Sequence, residues 1–166
     1  QYDKTFPTLD CAACILTPKM VDAGAHPNIT LHTWSEVVDV SGSVGDFKIK
    51  VKHKPRMVVE ADCTGCGICW EKCPVQVIDT GFEAGIGYRK AIYTPFPQAV
   101  PKYPVLTPDD CTYFQKGTCK ACEKFCPVDC IDFTQTDEFV ELNVGNILLA
   151  TGFQPFDARR IEAFRY

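Results

Sequence analysis

Two runs of cysteines, Cys63-x2-Cys66-x2-Cys69-x3-Cys73-Pro74 and Cys111-x7-Cys119-x2-Cys122-x3-Cys126-Pro127, constrain this chain more than any other feature. Three cysteines in succession, with only two residues between neighbours, are too close to pair as ordinary structural disulfides. They are well spaced to wrap a metal cube, one thiolate to each iron corner. Eleven cysteines in 166 residues therefore read as a framework for iron–sulfur clusters and imply a reducing, cytoplasmic setting. Each run ends in Cys-Pro and a short apolar segment, Val75-Gln76-Val77-Ile78 or Val128-Asp129-Cys130-Ile131, so an internal repeat with pseudo-twofold symmetry is expected.

The first run resembles the C-x2-C-x2-C-x3-C-P pattern of bacterial two-cluster ferredoxins. Gly65 and Gly67 suit a loop that curls tightly and turns its N–H groups toward sulfur. Pro74 ends that loop and sends Cys73 away from the first three cysteines. The second run departs from the pattern between Cys111 and Cys119, but each doubling of loop length adds only about 0.6 kcal/mol to closure. In two-cluster ferredoxins the fourth cysteine of each run serves the other cube. The resemblance thus implies Cys63, Cys66, Cys69 and Cys126 for one [4Fe–4S] cluster, and Cys111, Cys119, Cys122 and Cys73 for a second. Zinc is the alternative, since four thiolates also suit it, but zinc ribbons rarely show three cysteines at successive x2 spacing before Cys-Pro.

Two features fall outside that count. Cys130, in an apolar segment, reads as a small packed hydrophobe, with a ligand-swap or redox role as the alternative. Cys11-Ala12-Ala13-Cys14 cannot complete a four-sulfur site alone. A ligand pair with partners elsewhere, a dithiol/disulfide redox pair and an inert structural pair all fit its spacing.

The rest of the chain frames these motifs. Hydrophobic residues make up 46%, enough for a globular core, and no apolar run reaches the roughly 18 residues of a membrane span. Gln1 to Asp10 lacks the layout of a signal peptide. The net charge of −4 comes with scattered Lys and Arg, which disfavours nucleic acid as a partner. Two cubes of about −2 each would add to that acidity and suit basic docking surfaces on redox partners.

Ile29-Thr30-Leu31-His32 and Phe47-Lys48-Ile49-Lys50-Val51, separated by Gly42 and Gly45, predict a β-meander. A domain boundary is expected near Pro55, followed by a strand at Met57-Val58-Val59-Glu60. Thr80 to Asp110, with five prolines at 95, 97, 101, 104 and 108, reads as an extended ordered arm. Phe139 to Val144 and Asn146 to Ala150 predict two more strands, the second apolar enough for a buried parallel strand that stops at Thr151-Gly152-Phe153.

These residues together resemble the A-type subunit of heterodisulfide reductase, over essentially the whole chain. The resemblance rests on Asp3-Lys4-Thr5-Phe6-Pro7 before the Cys11/Cys14 pair, Pro18-Lys19-Met20-Val21-Asp22, His26-Pro27-Asn28-Ile29, Ser35-Glu36-Val37, the ferredoxin motifs, and Ile147 to Gly152. It implies an α+β fold in which a two-cluster ferredoxin-like domain, 57–137, is inserted into strands of a thioredoxin-reductase-like FAD domain. Residues 1–56 and 138–166 would be the flanking flavoprotein segments.

It also implies that Cys11 and Cys14 help ligate a third [4Fe–4S] cluster beside the flavin. Lys19 would lie near the isoalloxazine, and Ala150, Thr151 and Gly152 would form the turn passing FAD. The implied role is an oxidoreductase subunit relaying single electrons in flavin-based electron bifurcation, as in anaerobic methanogenesis. Its implied partners are the remainder of the same flavoprotein, B- and C-type subunits, a hydrogenase or formate dehydrogenase module, and soluble ferredoxin. The dinucleotide fingerprint is missing from these residues, so they alone are not expected to hold FAD tightly. A free-standing two-cluster ferredoxin-like carrier is the alternative.

Overall fold

The computed structural model describes residues 4–5, 10–82, 85–152 and 163. A short ladder, β1 (Lys4–Thr5) with β2 (Asp10–Cys11), precedes helix α1 (Ala12–Ala25). Alanine at four of its fourteen positions favours that helix in spite of Pro18 in its interior. α1 lies close to the middle of the chain at Gly24, where a Cβ would come 3.0 Å from Cγ1 of Val100.

Strand β3 (Ser35–Ser43) turns through Val44 and Gly45 into β4 (Asp46–His53), and the two pair antiparallel. Gly42 makes the turn possible, because at its φ of +97° a Cβ would stand 2.1 Å from the carbonyl oxygen of Asp46. The predicted meander is thus a hairpin starting at Ser35. Ile29 to His32 is not a strand; the glycine turn sets the register, and its paired arm reaches back only to Ser35 opposite His53.

After β4 the chain runs through both cysteine motifs before returning as β9 (Glu138–Val144), antiparallel to β4. Phe47, Ile49 and Val51 face Val144, Leu142 and Val140 in register, so one side of both strands is apolar. The cysteine-bearing unit is therefore inserted between two neighbouring strands of one sheet, in the order β3-β4-β9.

The inserted unit is built from small pieces. Short helices α2 (Ile68–Glu71) and α3 (Thr112–Lys116), then α4 (Ala121–Lys124), carry or flank the cysteines. Two-residue ladders join them: β5 (Val77–Ile78) with β6 (Tyr88–Arg89), and β7 (Ile92–Tyr93) with β8 (Val105–Leu106). Residues 57 to 60 form no strand. Only Val58 bridges to Ile131, flanked by the Val59 N–H donating to the Cys130 carbonyl at 2.7 Å and the Asp132 N–H to Met57 at 3.1 Å. Those bonds tie the start of the first repeat to the end of the second.

The proline-rich arm does more than extend. Ile92, Pro104, Val105 and Leu106 are among the most deeply buried side chains described, and the Leu106 N–H donates to the Arg56 carbonyl at 3.0 Å. The prolines block long helices, but the apolar residues between them fill the interior. Near Pro55, Arg56 is buried and donates to Glu60 and to Thr33 Oγ1, both at 2.6 Å, so this joint is a bonded seam. Asn146 to Ala150 is not a strand either. A strand exists through a paired neighbour, and these residues pair with none among those described, leaving Leu148 92% and Leu149 82% exposed. Phe153 lies outside the described residues.

Candidate metal centre

The first loop is shaped by its glycines. Gly65 and Gly67 take φ of +67° and +91°, and a Cβ on Gly67 would come 2.6 Å from Cζ2 of Trp70. The Gly65 N–H donates to Cys63 Sγ at 3.4 Å, so the curl does turn an amide toward sulfur. One cavity is lined by Cys63, Cys66 and Cys69 from this loop and by Cys126 from the other repeat, roofed by Trp70, Pro104, Pro127, Val128 and Ile131. Three thiols from one motif and the last of the other thus meet in an almost wholly apolar cage.

The second group is more deeply set. Cys111, Cys122 and Cys73 are all buried, and Cys111 and Cys73 are near enough for their charge to raise the Cys122 thiol. Cys119 differs: it is exposed, and its φ of +77° puts a non-glycine residue in the left-handed region. Cys69 lies on α2 and Cys122 on the equivalent helix α4, and these two helices pack against each other.

Among the described residues, no three Cys, His, Asp or Glu side chains converge as the ligands of a single ion do. A cubane requires thiolates spread about its corners, one per iron, and Cys63, Cys66, Cys69 and Cys126 stand around one apolar cavity, with Cys130 also on its lining.

Burial pushes the Cys69 thiol up to about 12 and Cys122 up to about 11, from an ordinary 9.0, with neighbouring thiols adding to it. For Cys126 burial also acts upward. The N–H groups of Val128, Cys130 and Asp129 and the Cys130 thiol together overcome it and hold Cys126 below the ordinary value. In cluster-free protein a raised thiol contributes stability that is complete below pH about 9 and is lost as pH rises through about 11 to 12. Its denaturant midpoint should fall across that window, whereas the loaded protein, whose ligands are already ionised, should not follow it. A flat midpoint for cluster-free protein between those values would show that Cys69 and Cys122 are not buried as neutral thiols.

The flanking candidates are placed less tightly. Cys14 and Lys19 are exposed on α1, and Ala150, Thr151 and Gly152 are exposed after β9. The side chain of Cys11 lies outside the described residues. The residue that sequence reasoning underrated is Cys130. It lines the first cavity, 3.6 Å from Cys126 Sγ, and burial first, then the Cys126 and Cys63 sulfurs, raise its thiol. Its position four residues after the last cysteine of a run was the available signal.

Residues 57–79 match the 4Fe-4S binding domain family, which makes this a protein with a ferredoxin-type iron–sulfur domain in a mixed α and β chain. Longer relatives extend the match to nearly every residue. The A-type subunit of the H(2):CoB-CoM heterodisulfide,ferredoxin reductase of Methanothermobacter thermautotrophicus is 47% identical over 95% of this chain and 23% of its own length. Its counterpart in the Ferredoxin:CoB-CoM heterodisulfide reductase of Methanosarcina mazei is 44% identical over 99% of this chain and 20% of its own. An A-type iron-sulfur subunit of the CoB--CoM heterodisulfide reductase of Methanopyrus kandleri is 49% identical over 100% of this chain and 24% of its own. The chain is homologous to an internal segment of the A-type subunit of heterodisulfide reductase, and spans about a quarter or less of the length of these relatives.

Proposed function

We propose that this chain is the iron–sulfur electron-transfer segment of a heterodisulfide reductase A-like oxidoreductase subunit. In this reading Cys63, Cys66, Cys69 and Cys126 hold one [4Fe–4S] cluster, and Cys111, Cys119, Cys122 and Cys73 hold a second. The observation that carries it is the single apolar cavity on which the first three cysteines of one repeat and the fourth of the other converge. A bound [4Fe–4S] cluster supplies one-electron transfer.

The chain's own residues do the remainder. Gly65 and Gly67 allow the loop to close, the Gly65 N–H stabilises charge on Cys63, and the amides around Cys130 do the same for Cys126. Trp70, Pro104 and Ile131 line one cage with apolar surface. The packing of α2 against α4, which carry Cys69 and Cys122 of the two sets, supports exchange between the clusters.

The flanks support a flavoprotein context. The cysteine unit interrupts the β3-β4-β9 sheet, and Val37, Val38, Val40, Leu148 and Leu149 leave apolar surface for the rest of a longer protein to cover. There Cys11 and Cys14 would contribute to a third cluster, and Lys19 with Ala150 to Gly152 would approach FAD. B- and C-type subunits, a hydrogenase or formate dehydrogenase module and soluble ferredoxin would exchange electrons with it, in a cytoplasmic, bifurcating complex. Among the described residues no helix is long and apolar enough to cross a membrane.

The test is electron transfer in the full-length protein. The double variant Cys126→Ser/Cys130→Ala, which leaves no spare thiol at that cavity, should keep its flavin content and slow flavin-to-acceptor transfer at least about tenfold; an unchanged rate overturns the relay. A free-standing carrier would instead protect the β3-β4 amides and residues 146–150 from hydrogen exchange as strongly as the cluster core in the isolated chain.

A further inference from the structure

Neither proposed ligand set uses Cys130, yet its side chain lines the first cavity beside Cys63 and Cys126. It is only 3% exposed. Its Sγ lies 3.6 Å from Cys126 Sγ, and its backbone N–H donates to that same sulfur at 3.4 Å. One residue thus approaches one ligand sulfur with two potential donors.

We propose, resting on the ligand assignment above, that Cys130 is a positioning residue whose thiol proton donates to Cys126 Sγ and raises the reduction potential of the cluster held by Cys63, Cys66, Cys69 and Cys126. The direction of donation follows from the chemistry of the pair. A thiolate bound to iron has no proton to give, so of the two sulfurs only Cys130 can donate. Reduction adds one negative charge to the cluster and its sulfurs. A donor to a ligand sulfur is bonded more strongly afterwards than before, which favours the reduced form. No covalent bond forms or breaks.

The internal repeat supplies a control within the same molecule. Four residues after Cys73, at the place matching Cys130, stands Val77, which has no side-chain proton to donate. Cys73 Sγ lies 3.9 Å from the Val75 carbonyl, an acceptor. The thiol donor beside Cys126 has no counterpart at the matching position beside Cys73, so the device acts on one cluster without acting on the other.

An EPR-monitored redox titration of the cluster-loaded protein tests it. Cys130→Ala and Cys130→Val should shift the first cluster to more negative potential and leave the second in place, while Cys130→Ser, which keeps a donor, should return much of the shift. An unmoved potential in Cys130→Ala with both clusters present overturns the proposal. Equal shifts in the Ala and Ser variants also overturn it, because packing and not the proton would then be responsible.

A wild-type measurement guards against variants that fail to load. The infrared S–H band that survives brief transfer to D2O, as a buried thiol should, must lie at the lower frequency of a hydrogen-bonded S–H. A band at the free-thiol position contradicts the bond. Failure of the ligand assignment is distinct from both outcomes, since it would appear as missing iron and sulfide or as the wrong cluster responding.

Discussion

Replacing Cys126 with serine should abolish or severely perturb the cluster nearest to it in space, the one caged by Cys63, Cys66 and Cys69, and leave the cluster of its own repeat intact. Cys126 reaches that cage because Pro127 ends its run and the Val58 to Ile131 bridge folds the second repeat onto the first. The expected result is loss of about one cube of iron and sulfide and of one of two EPR signals. Cys73→Ser should do the reverse, removing the signal of the cluster assigned to Cys111, Cys119 and Cys122. Cys130 stands in the same cavity and can approach a vacant corner, so Cys126→Ser is best paired with Cys126→Ser/Cys130→Ala, in which no thiol remains to step in. Loss of only the Cys111, Cys119 and Cys122 signal on changing Cys126 would refute the crossed arrangement.

Removing the clusters from the intact protein should cost the inserted unit most of its stability while sparing the sheet. The principal core contains Met57, Val58, Cys69, Cys73, Ala91, Ile92, Leu106, Cys111, Cys122, Cys130 and Ile131, of which five are cysteines. A core so rich in thiols around cages is stabilised by what the cages hold, because ligand binding and folding are one equilibrium in small metal-bound units. The short helices and two-residue ladders add little, since elements of that length are marginal by themselves. Hydrogen exchange at the bonded amides of Val59, Leu106 and Asp132 should accelerate about a hundredfold or more, which is about 2.8 kcal/mol at 1.4 kcal/mol per factor of ten. Amides of β4 bonded to β9 should change far less, because their ladder and its Phe47, Ile49 and Val51 face contain no thiol. Equal acceleration in both regions would show one cooperative unit; no acceleration in either would show that the clusters are not structural.

The chemistry of the site was legible because cysteine spacing is a local signal. Two residues between ligands, a proline after the fourth and glycines where φ must be positive are all written within twelve residues, Cys63 to Pro74. Strand positions were less legible, since a strand requires a partner. Phe139 to Val144 could be read because its alternation matches β4, whereas the equally apolar Asn146 to Ala150 has no described neighbour to pair with. Helix α1 went unpredicted because Pro18 masks an otherwise favourable alanine-rich run. Burial of the proline-rich arm was hidden for a related reason: prolines identify where helices cannot form, but they say nothing about whether Ile92 and Leu106 reach the core. The apolar segment around Cys130 signals its burial, but its contact with Cys126 crosses a turn whose geometry the spacing does not reveal.

Two interlocked sets of thiols are expected to hold two iron–sulfur cubes. Mössbauer spectroscopy of anaerobically prepared, iron-57-labelled protein, with acid-labile sulfide measured on the same sample, tests it most directly. Two cubes from the proposed sets should give [4Fe–4S] quadrupole doublets with sulfide equal to iron, and on reduction two magnetically interacting spins. A colourless protein holding zinc without sulfide, or iron in isolated single-ion sites, would contradict the account.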